Sequence, residues 1–233
     1  MADREKRRGG RALKKTVSDA LASERCLDIL KALEDVTPRQ LVNPLIGNLC
    51  SLDDTEHWRA VSAVGSIVAG LAEKDLESAR VVMRRFMWQL NDESGGIGWG
   101  VPEAMAECMA KNRRLAEEFA SILVSYLDPV RNFLEMDPLR KGAAWGVGRL
   151  ARVYPESVSD AGPFLAQCLD SEHAGLRGAA AWALAALPTP EARDELEALV
   201  HDDEPVSLWE DGKLLATTVG ELARDALSRM EGT

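Results

Sequence analysis

The sequence predicts an all-α chain, a right-handed α-solenoid of about five helix pairs, and three observations carry that expectation. First, four ten-residue windows repeat one helical pattern: Glu56–Gly65 (EHWRAVSAVG), Ile97–Ala106 (IGWGVPEAMA), Leu139–Gly148 (LRKGAAWGVG) and Leu176–Ala185 (LRGAAAWALA), with a weaker fifth at Leu214–Ala223 (LLATTVGELA). Their last residues are 41, 42, 37 and 38 positions apart. A self-similar period of that length marks a stacked array, because each unit hides its apolar face only against its neighbours. Second, the chain is 46% hydrophobic but only 5% aromatic. Its periodic segments are rich in Ala, Leu and Val and poor in the alternation that strands need. Third, small or aliphatic residues recur at window positions four, five, eight and nine, a stripe that must be buried. Positions three and seven lie one turn apart on another face.

The elements follow in order. A first helix is expected from Thr16 or Ser18, good N-cap residues, to about Asp35. Thr37-Pro38 opens the next, with Pro44 able to kink it. Asp53-Asp54-Thr55 caps an inner helix that runs to about Glu73, and an outer helix covers roughly 76–90. A glycine-rich link, NDESGGIG, leads to the second inner helix. An outer helix from Arg113 ends at Asp128-Pro129, and Asp137-Pro138 starts the third inner helix, which Pro155 stops. A short outer helix at 160–169 precedes the fourth inner helix at 171–187, closed by Pro188 and Pro190. Helices at 191–200 and 213–230, joined by the polar loop HDDEPVSLWEDG, complete one repeat domain over residues 16–233 with no internal break.

Charge divides the chain. Residues 1–15 hold seven Lys or Arg against Asp3 and Glu5, a net +5, so residues 16–233 carry −15 of the overall −10. Like charges and Gly9-Gly10 make residues 1–15 a basic leader expected to be disordered. No apolar run reaches membrane-spanning length and the start lacks a secretory signal, so a cytoplasmic location is expected. Cys26, Cys50, Cys108 and Cys168 have no paired spacing and are expected to be buried thiols.

The windows LRKGAAWGVGRLA and LRGAAAWALAAL resemble HEAT repeats, in particular the PBS-lyase type, where a hydrophobe and an Arg precede a small-residue-rich inner helix. Arg140 and Arg177 take the Arg position, whereas His57 and Gly98 depart from it. The resemblance spans roughly residues 38–227. The segment RRFMWQLNDESGGIGWGVPEAMAE is similar to the signature of an uncharacterised group of bacterial HEAT-like proteins. The resemblance implies a scaffold that binds partners along a concave surface, and fold alone assigns no activity.

Positions three and seven hold Trp58, Trp99, Trp145 and Trp182, with Glu103 beside Trp99. Four indoles from stacked helices are expected to line a concave groove, since Trp offers a large contact area, one N–H donor and a stacking face. Asn91, Asp92 and Glu93 with Gly96 and Gly98 form a loop at a helix start that could bring a ligand against backbone N–H groups. These ten residues are the candidate partner-binding set. Glu103 beside an indole could recognise a cation or act as a base with a raised pKa.

The expected function is that of a non-catalytic binding or adaptor module gripping a protein segment in the tryptophan groove. The alternative is an enzyme acting on a nucleic-acid base. DNA alkylation-repeat glycosylases are similar in placing Trp and an acidic residue on a HEAT-like surface, and here Glu103 would be the acid/base. Arg59, Arg140, Lys141, Arg149, Arg152 and Arg177 would then meet phosphates, although the acidic body opposes a polyanion. Deoxyhypusine hydroxylase shares the architecture, but its iron-holding His-Glu pairs are missing: Glu56-His57 and Glu172-His173 have the reverse order. Nothing beyond the repeats points to a bilin lyase. The run His201-Asp202-Asp203-Glu204 reads as a solvated turn rather than a metal site. No catalytic residue, metal or cofactor is expected, and a protein is the expected partner.

Overall fold

Five inner helices packed one on the next form the spine of the computed structural model, which describes residues 10–23, 26–91 and 97–231. They are α4 (Asp54–Lys74), α6 (Val101–Lys111), α8 (Asp137–Ala151), α10 (Ala174–Leu184) and α12 (Val219–Glu231). Each is preceded by an outer element: α3 (Pro38–Ile46), α5 (Leu76–Leu90), α7 (Arg113–Ser125), and two composite segments. A 3-10 turn leads into α9 (Gly162–Cys168), and another into α11 (Arg193–Ala198). At the front, α1 (Gly10–Ser23) and α2 (Cys26–Ala32) close the array against α3 and α4. The chain is a mostly helical repeat protein, as its periodicity predicts.

Local chemistry sets the helix boundaries. The Asp53, Asp75 and Asn112 side chains accept the N–H of Glu56, Ser78 and Leu115 and so cap α4, α5 and α7. The inner helices approach closely because their facing positions are small. Ala63, Val64, Val147 and Leu184 are all buried, so the predicted stripe is the packed one.

Three expectations are corrected. The first helix begins at Gly10, not Thr16, and Leu13 is buried. Residues 10–15 of the expected leader are therefore helical, and residues 1–9 lie outside the described residues. Cys50 is exposed, while Cys108 and Cys168 are buried as expected; the side chain of Cys26 lies outside the described residues.

The third correction is the largest. The fold is mostly helical as expected, but the polar loop before α12 is part of a β-hairpin: β1 (Pro205–Glu210) pairs antiparallel with β2 (Lys213–Thr218) in the register Glu210↔Lys213. Asp211 and Gly212 form the two-residue turn with φ of 50° and 77°, the left-handed pair that suits the twist of a tight hairpin. The weak fifth window therefore straddles a strand and a helix, and the fifth inner helix starts only at Val219.

Candidate functional site

The tryptophans sit on the predicted face of the inner helices but are not open to solvent. Trp58, Trp145 and Trp182 are 4%, 2% and 4% exposed. The expectation of a solvent-facing row is corrected, and the cause is the hairpin lying across it. Trp209 of β1 stacks parallel to Trp58 with ring centroids 5.8 Å apart, Trp58 leans on Trp145 at 4.5 Å, and Trp145 runs parallel to Trp182 at 6.2 Å. Offset aromatic pairs at these separations contribute beyond simple area burial. The indole N–H groups stay satisfied: Trp145 Nε1 donates to the Trp209 carbonyl (3.0 Å) and Trp182 Nε1 to Glu210 Oε1 (3.2 Å). Trp99 is half-buried at the start of α6. The large exposed indole is Trp88 on α5, 65% exposed on an outer helix.

One turn further along the inner helices, the face opens into a cleft of about 500 Å³ under the hairpin tip. Ser62 and Ser66 of α4, Glu107 and Lys111 of α6, Arg149 of α8 and Arg152 at its C-cap, and Trp145 and Trp182 line it, with Trp209–Gly212 as a roof. Glu107 organises the cations: its carboxylate accepts from Arg149 Nε at 2.9 Å and lies 3.2 Å from Lys111 Nζ. The Arg152 guanidinium lies 3.5 Å over the Trp182 ring. It donates to the carbonyls of Gly148 (2.8 Å) and Trp182 (3.0 Å) and stands 3.6 Å from Glu210. Burial lowers its pKa to about 10, against the pull of Glu210. Three cations and three carboxylates line the cleft, so their formal charges cancel.

Glu103 lies one turn before Glu107 and is 7% exposed, with Oε2 buried and without a hydrogen-bond partner. Gly142 of α8 makes room for it: a Cβ there would fall 2.4 Å from that oxygen. Burial raises the Glu103 pKa, and His57 and Lys141 oppose the shift as nearby positive charge. His57 is itself held by a contact of 2.7 Å between its Nδ1 and the Leu49 carbonyl.

The glycine corner divides. Asp92, Glu93 and Gly96 lie outside the described residues. Gly100 enters α6 with φ of 72°, and a Cβ there would fall 2.7 Å from both His57 and the Leu49 carbonyl. Asn91 closes α5 by donating its N–H to the Met87 and Trp88 carbonyls. With Gly98 it lines a different hollow of about 560 Å³, shared with residues 131–136. Asn91 and Gly98 thus line a hollow separate from the cleft beside Trp145 and Trp182.

Three of the arginines proposed for phosphate serve the fold, while Arg149 and Arg152 line the cleft. Arg59 donates to the Leu21 and Ala22 carbonyls, Arg140 pairs with Asp137, and Arg177 holds Asp202 at 2.7 Å and the Ser171 carbonyl at 2.7 Å. Asp202 therefore ties the acidic loop to α10. The hairpin residues Trp209 and Glu210 escaped sequence reasoning, although the Asp-Gly pair between two short runs is the expected sign of such a turn.

Comparison with known proteins fits this geometry. Residues 137–187 match the HEAT-like repeat and residues 176–202 the PBS lyase HEAT-like repeat. An uncharacterized protein of Archaeoglobus fulgidus is 28% identical over 194 residues, 82% of this chain and 95% of that protein. Among solved structures, a designed armadillo repeat protein superimposes with a TM-score of 0.58 at 19% identity, covering 98% of this chain and 95% of its own. Another, in complex with the peptide (KR)4, gives 0.51 at 20% identity, covering 94% and 99%. These likenesses concern the fold alone. Residues 137–202 of the chain carry HEAT-like repeats.

Proposed function

We propose that the protein is a non-catalytic binding module that holds a polypeptide segment against the face of its inner helices. One observation carries this reading: the helices already hold an extended strand there, with an indole N–H of α8 bound to a main-chain carbonyl of β1. A surface that satisfies the polar backbone of a strand and stacks its side chains has the elements of peptide recognition. The designed armadillo protein found with a bound peptide gives the same fold a precedent. The expected groove is narrowed by the hairpin, and the open part is the cleft of Lys111, Arg149 and Arg152. Its balanced charge supports a polypeptide over a nucleic acid, whose phosphates need a net positive track. Trp58, Trp145 and Trp182 are covered and give a nucleic-acid base no free platform.

The test is selection of binders from a random peptide library on the intact protein, followed by titration of Arg149→Glu. Selected peptides should shift the tryptophan emission and lose at least about tenfold in affinity on the variant, which is 1.4 kcal/mol. Undiminished binding to a folded Arg149→Glu protein would remove the cleft from the account, and failure to select any peptide would remove the polypeptide reading.

A further inference from the structure

The hairpin is held as a ligand is held. Three successive features of its first strand meet three partners contributed by different inner helices. The Trp209 ring lies against Trp58 of α4, the Trp209 carbonyl accepts from Trp145 of α8, and the Glu210 carboxylate accepts from Trp182 of α10 with Arg152 beside it. Arg152 is set in place for that carboxylate by two backbone carbonyls and by the Trp182 ring beneath it. An aromatic side chain, an extended backbone carbonyl and an acidic side chain are thus each read by a dedicated group.

The hairpin can part from the helices without unravelling the array. Its two strands pair only with each other, so its ladder does not depend on the helices. Its base is fixed by the N–H groups of Val219 and Gly220, which donate to the Glu204 and Asp202 carbonyls. Its tip, the two-residue turn at Asp211-Gly212, lies over the open cleft. What resists parting is the tip contacts just named, the buried Val206 and Leu208, and the packing of Leu214 of β2 against the core.

From these contacts we infer that the hairpin tip is an intramolecular stand-in for the partner, and that the groove takes an extended segment bearing an aromatic residue followed by an acidic one. The inference rests on the polypeptide-binding reading and adds its regulation. The partner segment and the tip compete for Trp58, Trp145, Trp182 and Arg152, so access requires the tip to swing out. The affinity seen by a partner is then reduced by the small fraction of molecules with the groove open.

The experiment uses the full chain and a labelled peptide of sequence PVSLWEDG, with a second peptide in which the Glu is replaced by Lys. Removing the stand-in with the double substitution Trp209→Ala, Glu210→Ala should tighten binding of the first peptide at least tenfold over the unsubstituted chain. The Lys peptide should bind the double variant at least tenfold more weakly, and so should the first peptide once Arg152→Glu is added. Should the double variant lose helicity, Glu210→Ala alone takes its place. Excess peptide should also speed hydrogen exchange at amides 206–218 of the unsubstituted chain. Equal affinity for the folded variant and the unsubstituted chain, no preference for Glu over Lys, or unchanged exchange would each overturn the inference. If a peptide of another composition binds while this one does not, the inference falls and the polypeptide-binding reading stands; if none binds, both fall. An unsubstituted chain that elutes as a dimer, where the double variant is a monomer, would assign the groove to a second copy's hairpin and overturn the partner segment.

Discussion

At the scale of single residues, burial decides what each aromatic and charged side chain can do. Trp145 is packed between Trp58 and Trp182, so Trp145→Ala should cost about 3–5 kcal/mol, the range for emptying a buried aromatic site. Trp88→Ala, on an exposed position of α5, should stay within about 0.5 kcal/mol. Urea denaturation of both variants checks the contrast. Glu103 adds a pH dependence. Its pKa in the folded chain lies above the ordinary 4.5, so over the window between those values the folded state binds more protons than the unfolded one. Stability then falls as pH rises through that window. Glu103→Gln removes this loss: measured in urea from about pH 4 to pH 8, the variant should gain on the unsubstituted chain as pH rises. A constant difference across that range would show that the carboxyl finds a compensating partner. The sequence singled out Glu103, and the structure buries it one turn before Glu107, against Gly142 of α8. What the sequence did not contain was that Oε2 is buried without a hydrogen-bond partner, because that depends on the space left by Gly142 of another helix.

At the scale of elements, the repeat period made α4, α6, α8 and α10 legible, since stripes of small residues at helical spacing have one way to pack. The hairpin was not legible through the same lens. Leu214, Leu215 and Ala216 form a short apolar run that fits a strand or a helix equally well, and the weak fifth repeat drew it into a helix. The Asp211-Gly212 pair was the signal to weigh against that periodicity. The consequence extends to the site: without the hairpin, the tryptophan face reads as an open groove, and with it the face reads as an occupied one. Arg177 shows how the hairpin is anchored, for its paired partner Asp202 lies just before β1 and both side chains are largely buried. Arg177→Met should cost roughly 3 kcal/mol by stranding that carboxylate and should raise the protease sensitivity of residues 201–218. A variant as stable and as resistant as the unsubstituted chain would show that the pair does not hold the hairpin down.

At the scale of the whole molecule, the stacked inner helices form a continuous wall that bears a local lid. The −15 carried by residues 16–233 and the matched charges of the cleft predict poor binding of single-stranded oligonucleotides, with a Kd weaker than about 10⁻⁴ M at physiological salt. Fluorescence anisotropy measures it, and a tight, salt-sensitive complex would revive the nucleic-acid reading. The central claim is that the protein's tryptophan face is covered by its own hairpin, and hydroxyl-radical footprinting with mass spectrometry tests it residue by residue. The account predicts rapid modification of Trp88 and strong protection of Trp58, Trp145 and Trp182 in the unsubstituted chain, with that protection lost together in the folded Trp209→Ala, Glu210→Ala variant. Modification of Trp145 and Trp182 at the rate of Trp88 in the unsubstituted chain would contradict it.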